Sequence, residues 1–288
     1  MSATSLTWGG RSIPGPGGLP AVAVSLTGPS LAQARSQARS AIDAGADVLE
    51  LRVDLLEETG AVAAPDPLDA ATAAAQVLEC LRGLGEVIAA DGADAGAGAA
   101  LLLTCRTVAE GGRARLDDAA YTALLHSVLD GLADWAPERR PAAIDVEVQR
   151  GCLPQVCAQA HALDIDVVAS FHDFEATPAD EVLEEVLARM AREGADLAKI
   201  AVWPTSADDV ARLLGVCARA TAGAGTGLGV PVATMSMGAL GAVSRVAPAF
   251  GSALTFAVVP DEQGQSRASA PGQLPLQDVR RCLELLRA

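Results

Sequence analysis

The sequence predicts an α/β protein folded as a (β/α)8 TIM barrel, and three observations support this fold class. Eight short apolar runs recur along the chain, and amphipathic helical patterns lie between them. Eight strands that alternate with helices within about 250 residues match the size of one barrel. No glycine-rich fingerprint follows the first run, where "SLTGPS" has one glycine, so a doubly wound open sheet is the less favoured alternative.

The eight predicted strands are short and rich in β-favouring residues. They are "AVAVSL" (21–26), "VLELRVD" (48–54), "ALLLTCR" (100–106), "AAIDVEV" (142–148), "DVVASFHD" (166–173), "LAKIAV" (197–202), "PVATMSM" (231–237) and "LTFAVV" (254–259). We expect a single domain over residues 1–288, in which about residues 1–19 form an N-terminal extension or a cap on the bottom of the barrel.

The predicted helices carry apolar residues at i, i+3 and i+4, as in "DDAAYTALLHSVLDGLADW" (117–135). "TPADE" predicts a helix start with Thr177 as N-cap and Pro178 at the first helical position. The tracts at 89–100 and 221–229 are low in complexity and rich in Ala and Gly, so we expect loops there.

Composition excludes several classes of function. The net charge is −15, and no cluster of basic residues exists that could bind nucleic acid. The six cysteines form no CxxC and the three histidines stand at no metal-ligand spacing, so we expect reduced thiols and no metal site. No signal peptide and no run of 18 apolar residues is present, which predicts a soluble cytoplasmic protein without a membrane partner.

Charged residues alternate along the second predicted strand. Glu50, Arg52 and Asp54 share one face of "VLELRVD", and the apolar residues between them share the other. In a barrel the apolar face meets the helices, so the charges point inward, where they are costly unless paired or used on a ligand. An edge strand with a solvated face is the alternative.

Further polar residues fall at the carboxyl ends of later strands, where barrel enzymes keep their active sites. Arg106 ends the third strand and Glu110 follows it, Asp145 and Glu147 share a face of the fourth, and His172 ends the fifth. The seventh strand adds Met235 and Met237, and Arg245 follows it.

Lys199 is the only lysine among the 21 basic residues of the chain. It lies in "LAKIAV", where its neighbours on the same face are apolar, so we expect a partly buried amine. Burial lowers the pKa of lysine from its usual value of about 10.4. A neutral amine can attack a carbonyl carbon and form a Schiff base, which an arginine cannot do.

Seven segments in order give the chain its resemblance to one family. They are "ELRVD" (50–54), "TCRTVAEGG" (104–112), "SFHDFEATP" (170–178), "ADLAKIAVWP" (195–204), "SMGALGAVSR" (236–245), "FGSALTF" (250–256) and "SAPGQ" (269–273). From about residue 20 to its end, the chain resembles the type I 3-dehydroquinate dehydratases, the Schiff-base class of this shikimate-pathway enzyme. The family's (β/α)8 barrel agrees with the strand count.

The resemblance implies a reaction without metal or cofactor. Lys199 would form an imine with the C3 ketone of 3-dehydroquinate, and His172 would remove the C2 proton and then protonate the departing C1 hydroxyl. The elimination is syn, so one residue can serve both steps. Arg245 would bind the substrate carboxylate.

The resemblance also implies the remaining contacts. Glu50, Arg52 and Arg106 would hold the ring hydroxyls with help from Ser25, and Ser269 and Gln273 would close over the substrate as a lid. Met235 and Met237 would form an apolar wall against the ring, with filling of the barrel interior as the alternative, and either Glu110 or Asp145 would orient His172. The family suggests a homodimer. The alternatives are another lysine-imine barrel, such as an aldolase or transaldolase, and a non-catalytic barrel that senses a ligand.

Overall fold

The computed structural model describes residues 5–60, 69–95, 98–222, 227–260 and 268–287. Eleven strands occur in these ranges: β1 (Leu6–Trp8), β2 (Arg11–Ile13), β3 (Ala21–Leu26), β4 (Val48–Arg52), β5 (Ala100–Thr104), β6 (Ala143–Glu147), β7 (Asp166–Asp173), β8 (Leu197–Val202), β9 (Val232–Ser236), β10 (Leu254–Val258) and β11 (Leu274–Pro275). The α-helices of the same ranges are α1 (Leu31–Asp43), α2 (Ala70–Ala95), α3 (Asp118–Leu132), α4 (Leu153–His161), α5 (Asp180–Arg192), α6 (Ala207–Ala220) and α7 (Leu276–Leu285).

Strands β3 to β10 form one parallel sheet in which each strand pairs with the next along the chain, up to β9. β10 returns to the first strand of the series, with Leu254 opposite Ala21. On its other side, Ala253 N–H donates to Val232 O at 2.7 Å, so the residue before β10 bonds to the start of β9. The sheet therefore curls round on itself, and the predicted (β/α)8 barrel is confirmed.

The strands are buried on both faces, as expected when helices cover a parallel sheet. Every residue of β4 is buried between β3 and β5, so the alternative of a solvated edge strand at 48–54 is wrong. Leu49 and Leu51 pack outward against the helices, whereas Val48 belongs to a separate cluster inside the barrel. The strand ends at Arg52, and a short 3-10 turn then carries Asp54.

Two helix boundaries differ from the sequence prediction. Helix α5 begins at Asp180, and the predicted N-cap Thr177 instead donates its hydroxyl to Trp203 O at 3.0 Å. Residues 89–95 of the predicted loop continue helix α2, because alanine favours helix whatever the complexity of the tract. Residues 96–97 and 223–226 of the two predicted loops lie outside the described ranges.

The hairpin β1–β2 lies at the amino ends of the barrel strands. Trp8 and Ile13 are fully buried in the interior cluster with Ala21, at the start of β3. Trp8 Nε1 donates to Asp166 Oδ2 at 2.7 Å, which ties the hairpin to the first residue of β7. This end of the barrel is filled by side chains. None of the helices in the described ranges has the length and apolarity to cross a bilayer.

Candidate active site

A cavity that is open to solvent, with about 480 Å³ of empty space including its mouth, lies at the carboxyl ends of the barrel strands. Its wall is formed by Glu50, Arg52, Arg106, Glu110, Gly111, His172, Phe174, Lys199, Ala201, Met235, Met237, Arg245, Phe256, Ser269, Ala270 and Gln273. The side chains that the sequence analysis assigns to the site line this cavity, except Ser25, which contacts two of the lining residues, and Asp145, which contacts Lys199. Parallel strands end at one rim, which is why residues distant in sequence meet here.

Lys199 lies in the middle of β8 and is 4% exposed. Its Nζ is 3.3 Å from Asp145 Oδ2 and 3.7 Å from Glu50 Oε1. The ring of Phe256 lies 4.6 Å from the same nitrogen. The amine is buried as expected, but its surroundings are not purely apolar, because strands β4 and β6 supply carboxylates from across the barrel.

His172 and Glu110 form a hydrogen-bonded pair, with 2.8 Å between Nδ1 and Oε2. Of the two carboxylates that the sequence left open, Glu110 contacts the imidazole, while Asp145 contacts Lys199. Burial lowers the pKa of His172 well below 6.5, and the cations of Arg106, Lys199 and Arg52 lower it further.

The second oxygen of Glu110, Oε1, is buried without a partner among the described residues. Burial raises the pKa of Glu110 to about 8, and the carboxylates of Glu147 and Asp145 add to this rise although Arg106 opposes it. These shifts favour a neutral imidazole beside a carboxyl group that gains or loses its proton near pH 8, and perturbed groups of this kind are typical of catalytic sites.

Arg106 connects the acidic side chains of the site. Its Nη2 donates to Asp145 at 2.8 Å. Its Nη1 donates to Ser170 at 2.9 Å, Glu147 at 3.2 Å and Glu110 at 3.3 Å. These contacts hold the carboxylates that face Lys199 and His172, so the guanidinium compensates the buried negative charge around it.

Arg52 and Glu50 are also held by neighbours. Arg52 donates from Nε and Nη2 to the two oxygens of Asp54, both at 2.8 Å, which fixes the guanidinium in a bidentate pair. Glu50 accepts from Thr104 Oγ1 at 3.0 Å and from the Ser25 hydroxyl. Both side chains line the cavity from the end of β4.

Arg245 differs from these arginines because no carboxylate of the described residues contacts it. Its Nη groups donate to two backbone carbonyls, Pro271 O at 3.1 Å and Phe256 O at 3.5 Å. Its Nε is buried without a partner among the described residues, and burial lowers its pKa to about 10. A buried cation without a counter-charge, on the wall of a cavity, is suited to bind an anion.

The sequence analysis missed Phe256, Ser170 and Thr104 as members of the site. The period of two along a strand could have found the first two, because Ser170 shares a face with His172 and Phe256 lies at the centre of β10. Thr104 ends β5, and its partner Glu50 lies on the neighbouring strand. In the described part of the chain, no three His, Cys, Asp or Glu side chains form a group that could hold a metal ion.

The fold and the site together define an enzyme of the (β/α)8-barrel class that carries one buried lysine at the mouth of the barrel. Comparison with known proteins gives the family. Residues 22–288 match the family model described as Type I 3-dehydroquinase. The chain belongs to the type I 3-dehydroquinase family.

Relatives of similar length support this assignment. The chain is 38% identical to a 3-dehydroquinate dehydratase of Lactiplantibacillus plantarum, with 93% of each chain covered. It is 36% identical to one of Albidiferax ferrireducens, with 96% of this chain and 92% of the relative covered.

A solved structure gives the same result. The crystal structure of 3-dehydroquinate dehydratase from Geobacillus kaustophilus superposes with a TM-score of 0.79 at 29% identity, covering 99% of this chain and 97% of that one.

Proposed function

We propose that Lys199, His172 and Arg245 carry out the 3-dehydroquinate dehydratase reaction in this chain, the conversion of 3-dehydroquinate to 3-dehydroshikimate and water. One observation carries the proposal: these three side chains, from three different parts of the barrel rim, line a single cavity. The cavity thus holds an amine for the ketone, an imidazole for the proton and a cation for the carboxylate.

Lys199 attacks the C3 carbonyl of the substrate with the lone pair of its neutral amine, and the carbinolamine takes up one proton and loses its hydroxyl as water to give a protonated imine. The positive charge of the imine then lies next to the carboxylates of Asp145 and Glu50. These carboxylates are already in place, so little reorganisation is needed when the charge develops. The imine draws electrons from C2 and acidifies its hydrogen.

His172 acts as base and then as acid. Its Nδ1 faces Glu110, so an Nδ1–H donated to the ionised Glu110 leaves Nε2 free to accept the C2 proton. The electrons of the C2–H bond first form the C2–C3 double bond of an enamine, which neutralises the imine nitrogen. The enamine then re-forms the imine and places the double bond between C1 and C2 as the C1 hydroxyl leaves, and the same Nε2–H protonates that hydroxyl to give water. Hydrolysis of the imine returns Lys199 and releases the product.

Arg245 binds the substrate carboxylate, because its charge has no acidic partner in the described residues. Ser269 and Gln273 lie beside it on the wall and close this end of the cavity. Glu50, Arg52 and Arg106 hold the ring hydroxyls, and Met235 and Met237 form the apolar side. The protein acts as a homodimer in the cytoplasm, with no nucleic acid or membrane as partner.

Trapping the imine tests this proposal. Borohydride added with 3-dehydroquinate donates a hydride to the imine carbon, which should inactivate the enzyme and add ligand mass to the peptide that contains Lys199. Because the chain has one lysine, the labelled peptide identifies itself. As a control, Lys199→Arg keeps the charge but should neither be labelled nor turn over substrate. Labelling at another residue, or turnover by Lys199→Arg, would refute the proposal.

A further inference from the structure

We infer that the Ser25 hydroxyl is a positioning group, which connects the segment 268–273 to the carboxylate beside the Lys199 amine. The inference rests on the proposed function, since it concerns how that site is held closed. Ser25 is buried on β3 and does not line the cavity. It touches two residues that do, Glu50 and Ser269.

A chain of side-chain hydrogen bonds runs from the segment to the catalytic centre. Gln273 Nε2 donates to Ser269 Oγ at 3.0 Å, and Ser269 Oγ donates to Ser25 Oγ at 2.8 Å. The Ser25 hydroxyl then donates to Glu50 Oε2. The other oxygen of Glu50 lies 3.7 Å from Lys199 Nζ.

The groups at the two ends of this series of hydrogen bonds determine which atom donates at each step. Ser269 N–H can only donate, and it donates to Gln273 Oε1 at 3.0 Å, so the amide must present Nε2 to the Ser269 hydroxyl. That hydroxyl has one hydrogen, which is thereby directed to Ser25. The Ser25 hydrogen is directed in turn to Oε2 of Glu50, which accepts it.

Hydrogen bonds aligned in one direction polarise and strengthen each other. The position of the segment 268–273 therefore depends on the same carboxylate that faces the lysine. Without the Ser25 hydroxyl, Ser269 loses its acceptor and Glu50 loses one of its two hydroxyl donors, while Thr104 still donates to Glu50. The effects on kcat/KM of removing the Ser25 and Ser269 hydroxyls should therefore not add to each other. The effects of removing the Thr104 and Ser269 hydroxyls should be independent.

A double-mutant cycle on kcat/KM for dehydration tests this coupling. Ser25→Val and Ser269→Ala should each lower kcat/KM by about tenfold, as expected for one hydrogen bond in a chain that ends on a charge. The double variant should be no worse than either single one. Ser25→Thr, which has the size of valine but keeps the hydroxyl, should stay within about threefold of the unaltered protein. Circular dichroism checks folding, and Ser25→Ala replaces the valine variant if that one does not fold.

The control cycle pairs Thr104→Val with Ser269→Ala. Thr104→Val also removes a donor from Glu50 but has no contact with the segment 268–273, so its effect should multiply with that of Ser269→Ala. The inference would be overturned if the Ser25→Val and Ser269→Ala effects multiplied, so that kcat/KM of the double variant fell about a hundredfold. It would also be overturned if Ser25→Thr were as impaired as Ser25→Val. Failure of borohydride trapping in the unaltered protein would instead refute the role of Lys199, and the cycle would still decide the coupling.

Discussion

At the scale of the residue, the proton shared by His172 and Glu110 decides whether the site can act as a base. When Glu110 is protonated, its hydrogen is donated to Nδ1 and the imidazole carries its own proton on Nε2, where it cannot accept another. When Glu110 is ionised, the imidazole proton moves to Nδ1 and Nε2 becomes the acceptor. The pKa of Glu110, raised by burial to about 8, thus sets the tautomer of His172.

We expect kcat/KM to rise with pH through a limb near 8, because the active tautomer requires Glu110 to lose its proton and kcat/KM reports the free enzyme. Glu110→Gln should remove this limb, since an amide does not titrate, and should lower the plateau by at least about tenfold. A pH–rate profile of both proteins checks the prediction. A limb of the same midpoint in Glu110→Gln would assign it to another group.

For the residues of the site, the sequence predicts which side chains face the interior better than it predicts which side chains contact each other. The sequence singled out Lys199 and predicted its burial, because it is the only lysine of the chain and lies in an apolar strand. Its contacts with Asp145 and Glu50 did not, because they depend on which strands face each other across the barrel. The partner of His172 stayed open for the same reason. A period of two assigns a side chain to the interior, but not to a particular neighbour.

At the scale of the element, strands were easier to predict than helix ends. Each barrel strand can be recognised in the sequence as an apolar run. The start of α5 depends on a tertiary contact instead, because the Thr177 hydroxyl donates to the Trp203 carbonyl and does not cap the helix. The segment 268–273 shows the same dependence. Its Pro271 carbonyl accepts from Gly238 N and from Arg245 Nη2, both at 3.1 Å, so the turn after β9 holds the loop that follows β10.

Gly272 is the residue that allows this close approach. It has a φ of +79°, and a Cβ on it would lie well inside van der Waals contact with Gly238 O. We expect Gly272→Ala to displace the segment and lower kcat/KM by about tenfold or more, because Arg245 contacts this segment at Pro271 and the segment itself carries Ser269. Steady-state kinetics measure this effect.

Gly151→Ala is the matched control for that variant. Gly151 also has a positive φ, of +71°, but a Cβ there would meet nothing within 4 Å. Both variants should lose about 1–2 kcal/mol of stability from the left-handed backbone, and only Gly272→Ala should lose activity. Equal kinetics in the two variants would show that the loop does not need this contact.

At the scale of the whole molecule, the N-terminal hairpin supports the barrel from the end opposite the site. Trp8→Ala should lower the free energy of unfolding by about 3–5 kcal/mol, because it leaves a cavity among fully buried side chains. The kcat of the folded protein should stay within about twofold, since Trp8 packs at the amino ends of the strands, beside Asp166 at the start of β7 and away from the carboxyl ends that carry the site. Urea unfolding, followed by kinetics well below the transition, measures both quantities.

Trp135→Ala provides the comparison for that prediction. Trp135 is only partly buried, with Arg82 lying over its ring at 5.2 Å, so its loss should cost less than half as much. A similar cost for the two variants would mean that the hairpin contributes little to the interior. The extent of the domain over residues 1–288 stays a prediction.

Because Trp8, Ile13 and the side chains above them fill the interior of the barrel, the described part of the chain gives a molecule shaped like a cup. Substrate, product and the water that is released must then all pass through the opening of the cavity at the carboxyl ends of the strands. Because Ser269 and Gln273 lie on the wall of the cavity, we expect residues 268–273 to move aside in each turnover, so that a more viscous solvent lowers kcat.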